Sequence, residues 1–246
     1  MGNRSVVSGD EELRLRRQWE REVLPKVLGE RTLFERMRSV FQEVSEGVAP
    51  GTGVVAGAKK RDLAEQCRAW FEDWYRSLGF AITVPKPNVT NREFARRTER
   101  HQVLTYEPAT ADVPYEAFMR AVGQGDHWTV TDEGERAKIG WEPIAKGYWH
   151  WVDAQDVSPR LGVSWKRLTA NLRLLSLEEY VKFRHALKAK TGRMLDVRTW
   201  CWLRTRFGRG ALSAYGHGSR VHVHRSSADG LSIPFGGAGG RAADVV

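Results

Sequence analysis

The pattern of apolar and polar positions is clearest between Ser176 and Gly192, where apolar residues recur three or four positions apart. Ser176 is followed three residues later by Glu179, the spacing of a capping box, in which each side chain accepts a hydrogen bond from a backbone N–H at the helix start. Gly192 suits the left-handed position that ends a helix. The sequence therefore predicts a helix whose buried face carries Leu177, Tyr180, Val181 and Leu187.

A strand predicted at 199–203 has apolar side chains on both of its faces. Because side chains alternate along a strand, Trp200 and Trp202 share one face, and Cys201 and Leu203 share the other. A strand with this pattern needs cover on both sides. After a glycine-containing loop, the run S-R-V-H-V-H-R predicts a further strand with a valine face turned inward and a polar face turned outward.

Helical periodicity dominates the first third of the chain. A capping box at Thr32 and Glu35 opens one helix, and the small, glycine-rich segment at about 49–58 is typical of a linker. We assign residues 1–79 to a helical region, and its helices are candidates for contact with a partner chain. The helix before Gly79 has the strongest apolar stripe, which consists of Leu63, Cys67, Trp70, Phe71, Trp74 and Leu78.

Short alternating segments predict strands in the remaining part, residues 80–246. One is predicted at Phe80–Val84, and several more follow from His127 onward. Tryptophan is costly to expose to water, so the tryptophans of these segments predict one shared sheet. The overall prediction is an α+β protein, with a helical N-terminal region followed by a tryptophan-rich mixed domain. The tryptophans assigned to the sheet are Trp128, Trp141, Trp149, Trp151, Trp200 and Trp202.

Composition and charge exclude some classes of protein and favour others. A hydrophobic content of 41% with ten tryptophans excludes global disorder. The net charge of +9 favours contact with polyanions, although the arginines are spread along the chain and also suit a solvated surface. Cys67 and Cys201 are isolated from each other, which argues against a zinc knuckle or a disulfide framework. Without a signal peptide or a long apolar run, we expect a cytoplasmic protein with no membrane span.

Four runs of sequence together resemble a known domain. L-S-L-E-E-Y, L-D-V-R-T-W-C-W-L, S-R-V-H-V-H and the final G-G-R-A-A-D-V-V are similar to the C-terminal half of a C-type-lectin-like domain. The likeness is to the branch shared by formylglycine-generating enzymes and the variable proteins of diversity-generating retroelements. It covers about the last third of the chain. Oxidases of this branch use a cysteine pair or a copper site, and Cys201 stands alone.

The resemblance implies a C-type-lectin-like topology and a calcium-independent scaffold. In such a scaffold an exposed C-terminal hairpin presents changeable side chains to a ligand. The positions of this sequence that match the hairpin are Tyr215, His217, Ser219, Arg220, His222, His224 and Ser226.

Catalytic and metal-binding interpretations are weak. His222 and His224 share one strand face, and with His217 a turn away they could hold a divalent metal. The simpler interpretation, a wet polar strand face, is favoured because no acidic group lies nearby in sequence. Glu178 and Glu179 are explained by the helix start, where negative charge is stabilised. We predict no catalytic residue, no metal and no cofactor.

Two functions are therefore carried forward. The first is a non-enzymatic binding module, such as a retroelement-type variable protein, whose hairpin contacts a protein or other ligand. The second is a basic nucleic-acid-binding accessory protein of a phage or mobile element, with contacts from Arg204, Arg206 and Arg209. A preceding helix could extend that basic surface through Lys182, Arg184, Lys188, Lys190 and Arg193.

Overall fold

The computed structural model describes residues 62–123, 138–217, 220–226 and 238–246. The helices in this part of the chain are α1 (Leu63–Ser77), α2 (Asn91–Glu99), α3 (Tyr115–Ala121), α4 (Trp165–Thr169) and α5 (Leu177–Thr191). The strands are β1 (Gln102–Glu107), β2 (Ile139–Gly140), β3 (Tyr148–Asp153), β4 (Trp200–Phe207), β5 (Gly210–His217), β6 (Arg220–Ser226), β7 (Ala238–Gly240) and β8 (Ala243–Val245). Helices combined with antiparallel strands confirm the predicted α+β class. The predicted linker at 49–58 and the helices before it lie outside the described residues.

Helix α5 begins and ends where the sequence predicts. Ser176 Oγ accepts a hydrogen bond from the Glu179 N–H at 3.2 Å, and the Glu179 carboxylate accepts one from the Ser176 N–H at 2.6 Å. Gly192 ends the helix with φ of 73°. From residue 177 to residue 187, however, the helix is buried around its whole circumference and not along a single stripe. Its buried polar side chains are Glu178, Glu179, Lys182, Arg184 and His185.

Two sheets flank helix α5. The first has the order β1-β3-β8, and the second has the order β2-β4-β5-β6 with β7 parallel to β4. The prediction of one tryptophan sheet is wrong, because Trp149 and Trp151 lie on β3 in the first sheet, whereas Trp200 and Trp202 lie on β4 in the second. Helix α5 contacts β1 of one sheet and β4 of the other, which explains why its residues 177–187 are all buried. Trp128 lies outside the described residues.

Strand β4 is covered on both faces, as predicted. Trp200 and Trp202 are 7% and 1% exposed and pack in a small apolar cluster with Trp165. Cys201 and Leu203 are fully buried in the larger core on the opposite side. The strand thus separates two apolar clusters and fixes the position of the hairpin that follows it.

Helix α1 belongs to the same core as the strands, although the sequence analysis grouped it with the N-terminal region. Phe71 packs edge-on against Trp149, with ring centroids 5.4 Å apart. The strand predicted at Phe80–Val84 is wrong, because this segment has no ladder partner among the described residues. It is instead tied down at its end, where Trp149 Nε1 donates a hydrogen bond to the Pro85 carbonyl at 2.7 Å.

The C-terminus joins the two sheets. Strand β8 is the last strand of the first sheet, where it pairs with β3. Strand β7, just before it, pairs with β4 in the other sheet. Arg241 lies at the crossing point, so the last residues of the chain hold the two sheets together.

Candidate functional site

Strands β5 and β6 form the antiparallel hairpin to which the sequence analysis assigned ligand binding. Tyr215 lies opposite His222 in the strand register. Val221 and Val223 are fully buried, whereas His222 is half-buried and His224 is exposed. This alternation confirms the predicted valine face and polar face of β6.

Four ring systems meet on the outer face of this hairpin and its neighbour β4, and we call them the aromatic row. Trp200 and Tyr215 have ring centroids 4.3 Å apart, and Tyr215 stacks on His222 at 4.9 Å with an interplanar angle of 21°. His224 meets Trp200 edge-on at 5.6 Å. The row runs from a buried indole to an exposed imidazole, so it is rigid at one end and accessible at the other.

The structure places the other predicted ligand residues by their backbone positions. His217 lies opposite Arg220 in the register, and Ser226 lies opposite Ala211. Ser219 lies outside the described residues. Of the seven predicted positions, three have their side chains in the aromatic row, and Trp200 joins them as a residue that the sequence analysis assigned only to the core. The sequence signal that could have placed Trp200 with these residues was its position in the strand next to the hairpin.

The hairpin is fixed from below by helix α5. The Gly216 N–H donates a hydrogen bond to the Asp196 carbonyl at 2.9 Å, which ties β5 to the loop before β4. A Cβ at position 216 would lie 2.7 Å from both Cζ and Nε of Arg184, so this guanidinium packs directly on the glycine. Arg184 Nε donates to the Leu195 carbonyl at 3.3 Å. No short-range sequence signal pointed to this contact.

A fully buried ion pair locks the loop that supports the hairpin. Arg241 donates to both carboxylate oxygens of Asp196, at 2.7 and 2.9 Å, and also to the carbonyls of Asp153 and Gln155. The Tyr180 hydroxyl donates to the same carboxylate at 3.1 Å. Asp196 has φ of 54°, so these bonds hold a backbone conformation that an aspartate adopts uncommonly.

Buried charges cluster around the first turns of α5. Tyr148 and Arg173 both donate hydrogen bonds to the Glu179 carboxylate. His150 is buried nearby, and neither of its ring nitrogens has a hydrogen-bond partner among the described residues. Burial lowers the pKa of His150 to about 4. The pairing of Glu179 is thus part of the core, beyond the helix-start role that the sequence suggested.

A second buried group of charges includes Glu178, the residue before Glu179. The Lys182 ammonium is 2.6 Å from Glu178 and 2.9 Å from Glu107, so one cation serves two carboxylates. Burial raises the pKa of Glu107 to about 8. These side chains balance one another inside the protein, and they leave no buried charge directed at a ligand.

The residues predicted for nucleic-acid contact fall in different environments. Arg204 pairs with Glu142 at 3.1 Å and lies 3.8 Å from Glu179. Arg206 and Arg209 are exposed. The extension of the basic surface along α5 is wrong where Lys182 and Arg184 are concerned, because both are 1% exposed. Two further members are engaged elsewhere, since Lys190 lies over the Trp70 ring and Arg193 pairs with Asp156.

Cys201 and the hairpin histidines lie in packed environments. Burial raises the pKa of the Cys201 thiol to about 12, so it is a poor nucleophile at neutral pH. Within the described ranges, no group of three or more His, Cys, Asp and Glu side chains is placed to hold a metal ion. His222 and His224 engage in ring contacts with Tyr215 and Trp200.

No protein-family model, curated protein or solved structure matches the chain. In the part of the chain that the structure describes, no helix is both long and apolar enough to cross a membrane.

Proposed function

We propose that this chain is a non-enzymatic binding module that holds a protein or other ligand against the outer face of the β5–β6 hairpin. The observation that carries the proposal is the aromatic row, in which Tyr215 stacks on His222 beside Trp200 and His224 is exposed. Aromatic side chains that are partly exposed and already held in place supply contact area at a low entropic cost.

The hairpin combines a fixed backbone with changeable surface positions. Val221 and Val223 bury one face of β6 in the core, so the side chains that alternate with them do not have to fill the core. Gly216 and its contacts with Arg184 and Asp196 hold β5 in place. A ligand-displaying scaffold requires a fixed backbone that carries replaceable surface side chains. This combination supports the C-type-lectin-like and retroelement-type interpretation of the sequence.

A random peptide library displayed on phage serves as the probe for binding. The library is selected against the purified protein, and the selected peptides are measured against variants by biolayer interferometry. We expect Tyr215→Ala to weaken the selected peptides by at least about tenfold, as the loss of a central aromatic contact does.

Trp141→Ala is the matched control, since Trp141 is a partly exposed aromatic residue outside the hairpin. The control should leave the affinities unchanged. Peptides that bind Tyr215→Ala as well as wild type, or that lose equal affinity in Trp141→Ala, would refute the proposed face. Unchanged thermal unfolding of both variants keeps the comparison valid.

A further inference from the structure

Carboxylates are missing from two stretches of the chain that meet in the second sheet. Residues 157–177 contain four Lys or Arg and no Asp or Glu, and residues 197–228 contain six Arg and no Asp or Glu. The second stretch includes the whole of β4, β5 and β6, and the first includes α4, which packs on β4. In a chain with 30 acidic residues, this segregation concentrates positive charge on one part of the fold.

The structure gathers several of these cations around the turn between β4 and β5. Arg206 lies with its guanidinium carbon 5.1 Å from the centroid of the Trp165 ring, and Lys166 and Arg167 follow Trp165 on α4. Arg209 is in the turn itself. We call this surface the basic end, and its members are Lys166, Arg167, Arg206 and Arg209.

Three members of the basic end have no carboxylate partner among the residues that the structure describes. Arg167, Arg206 and Arg209 form no ion pair with any of the described residues, and all three are exposed. Elsewhere in the described part of the chain many arginines are paired, for example Arg173 with Glu179 and Arg193 with Asp156. Like charges held together repel one another, so an external anion stabilises this arrangement.

Two features define the anion. A guanidinium stacked on an aromatic ring keeps its N–H groups in one plane and presents them as a preformed fork, which matches the oxygens of a phosphate. The segments 163–171 and 204–213 expose no large apolar side chain, whereas the centre of a protein–protein interface is usually apolar. Repeated phosphates therefore fit this surface better than an acidic protein does.

We propose that the basic end binds the phosphate backbone of a nucleic acid. The site is separate from the aromatic row, and it differs from the sequence-based expectation in its membership. Arg204 is excluded because it pairs with Glu142 and approaches Glu179, whereas Lys166 and Arg167 are added by the fold. The contacts are to phosphates, since the Trp165 ring is buried beneath the Arg206 guanidinium and is not open for base stacking.

The test is fluorescence anisotropy with labelled single-stranded and duplex DNA of about 20 nucleotides, titrated at several salt concentrations. We expect the double variant Arg206→Gln/Arg209→Gln to bind roughly tenfold more weakly and to reduce the salt-dependence slope by about two. The control Arg92→Gln/Arg100→Gln removes the same charge from exposed positions at α2, and it should change neither quantity appreciably. Arg206→Lys, which keeps the charge but loses the planar fork, should fall between wild type and the double variant.

Three results would overturn the proposal. The first is a loss in the control as large as that in the double variant, which indicates a diffuse charge effect. The second is displacement of the DNA by poly-glutamate as effective as by unlabelled DNA, which indicates a partner defined by carboxylates. The third is a loss of DNA binding in Tyr215→Ala equal to that of the double variant, which moves the contact to the hairpin.

Discussion

Arg184 of helix α5 packs against the backbone of Gly216 in strand β5, on the side of the hairpin opposite the aromatic row. The guanidinium occupies the volume that any side chain at 216 would need. Because Arg184 is buried and bonded to the Leu195 carbonyl, it cannot swing away freely. The position of the hairpin thus depends on Arg184, a helix residue 32 positions earlier in the chain.

Gly216→Ala should consequently destabilise the protein by about 1–3 kcal/mol, the usual range for overpacking a closely packed site. Chemical denaturation measures the change. Gly140→Ala is the control, since a Cβ there would meet its nearest atom at 3.7 Å, an ordinary contact. A Gly216→Ala protein as stable as the control would show that Arg184 does not support the hairpin.

The buried pair of Asp196 and Arg241 should be far more sensitive than a surface pair. Asp196→Asn leaves the Arg241 charge in the core without a counter-charge, and we expect a loss of about 3–5 kcal/mol. The exposed pair of Arg193 and Asp156 provides the comparison, because Asp156→Asn should cost less than about 1 kcal/mol. Equal losses in urea unfolding would contradict the central role given to Arg241.

Acid should destabilise the fold through His150. Its pKa is about 4 in the folded protein, below the ordinary value of 6.5, so the unfolded chain binds more protons between these two values. The stabilisation is complete above pH 6.5 and is lost as the pH falls toward 4. The groups facing the ring are Tyr148, Glu179, Arg173 and Arg204.

His150→Phe removes this titration. Between pH 7 and pH 4.5 the wild type should therefore lose roughly 1–3 kcal/mol more unfolding free energy than the variant does. Urea unfolding at a series of pH values gives the result. His185 also has its pKa lowered to about 4 by burial, so some acid sensitivity should remain in the variant. A pH profile identical to that of wild type would argue that His150 is solvated.

The two faces of β6 should respond differently to the same substitution. Val223→Thr places a hydroxyl in the core and should cost about 1–3 kcal/mol, whereas His224→Thr on the exposed face should stay within about 0.5 kcal/mol. Thermal unfolding of both variants is sufficient. A His224→Thr protein that loses as much stability as Val223→Thr would mean that the outer face is structural.

Local signals in the sequence predicted much of the local structure. The spacing of Ser176 and Glu179 and the glycine at 192 located helix α5, because capping depends on neighbouring residues. The alternation from Trp200 to Leu203 correctly predicted a strand covered on both faces. The helix ends and the strand pattern each depend on residues close together in the chain, so a single sequence is enough to predict them.

Contacts between residues far apart in the chain could not be predicted from local sequence patterns. Periodicity treats Lys182 as a surface cation, yet it is buried because Glu107 and Glu178 meet it from two elements. The tryptophans were placed in one sheet because their pattern does not say which neighbour covers them. For the same reason the sequence could suggest Arg204 and Arg206 alike as nucleic-acid contacts, whereas the packing of Arg206 on Trp165 and the pairing of Arg204 with Glu142 required the fold.

The most direct measurement is diethyl pyrocarbonate labelling of the native protein at neutral pH, with modification of each histidine followed by mass spectrometry. An open hairpin face on a closed core requires His224 to react rapidly and His150 to react only on unfolding, and a peptide selected for binding should protect His224. Rapid labelling of His150, or a His224 that reacts no faster in the native protein than His150 does, would contradict the proposed site.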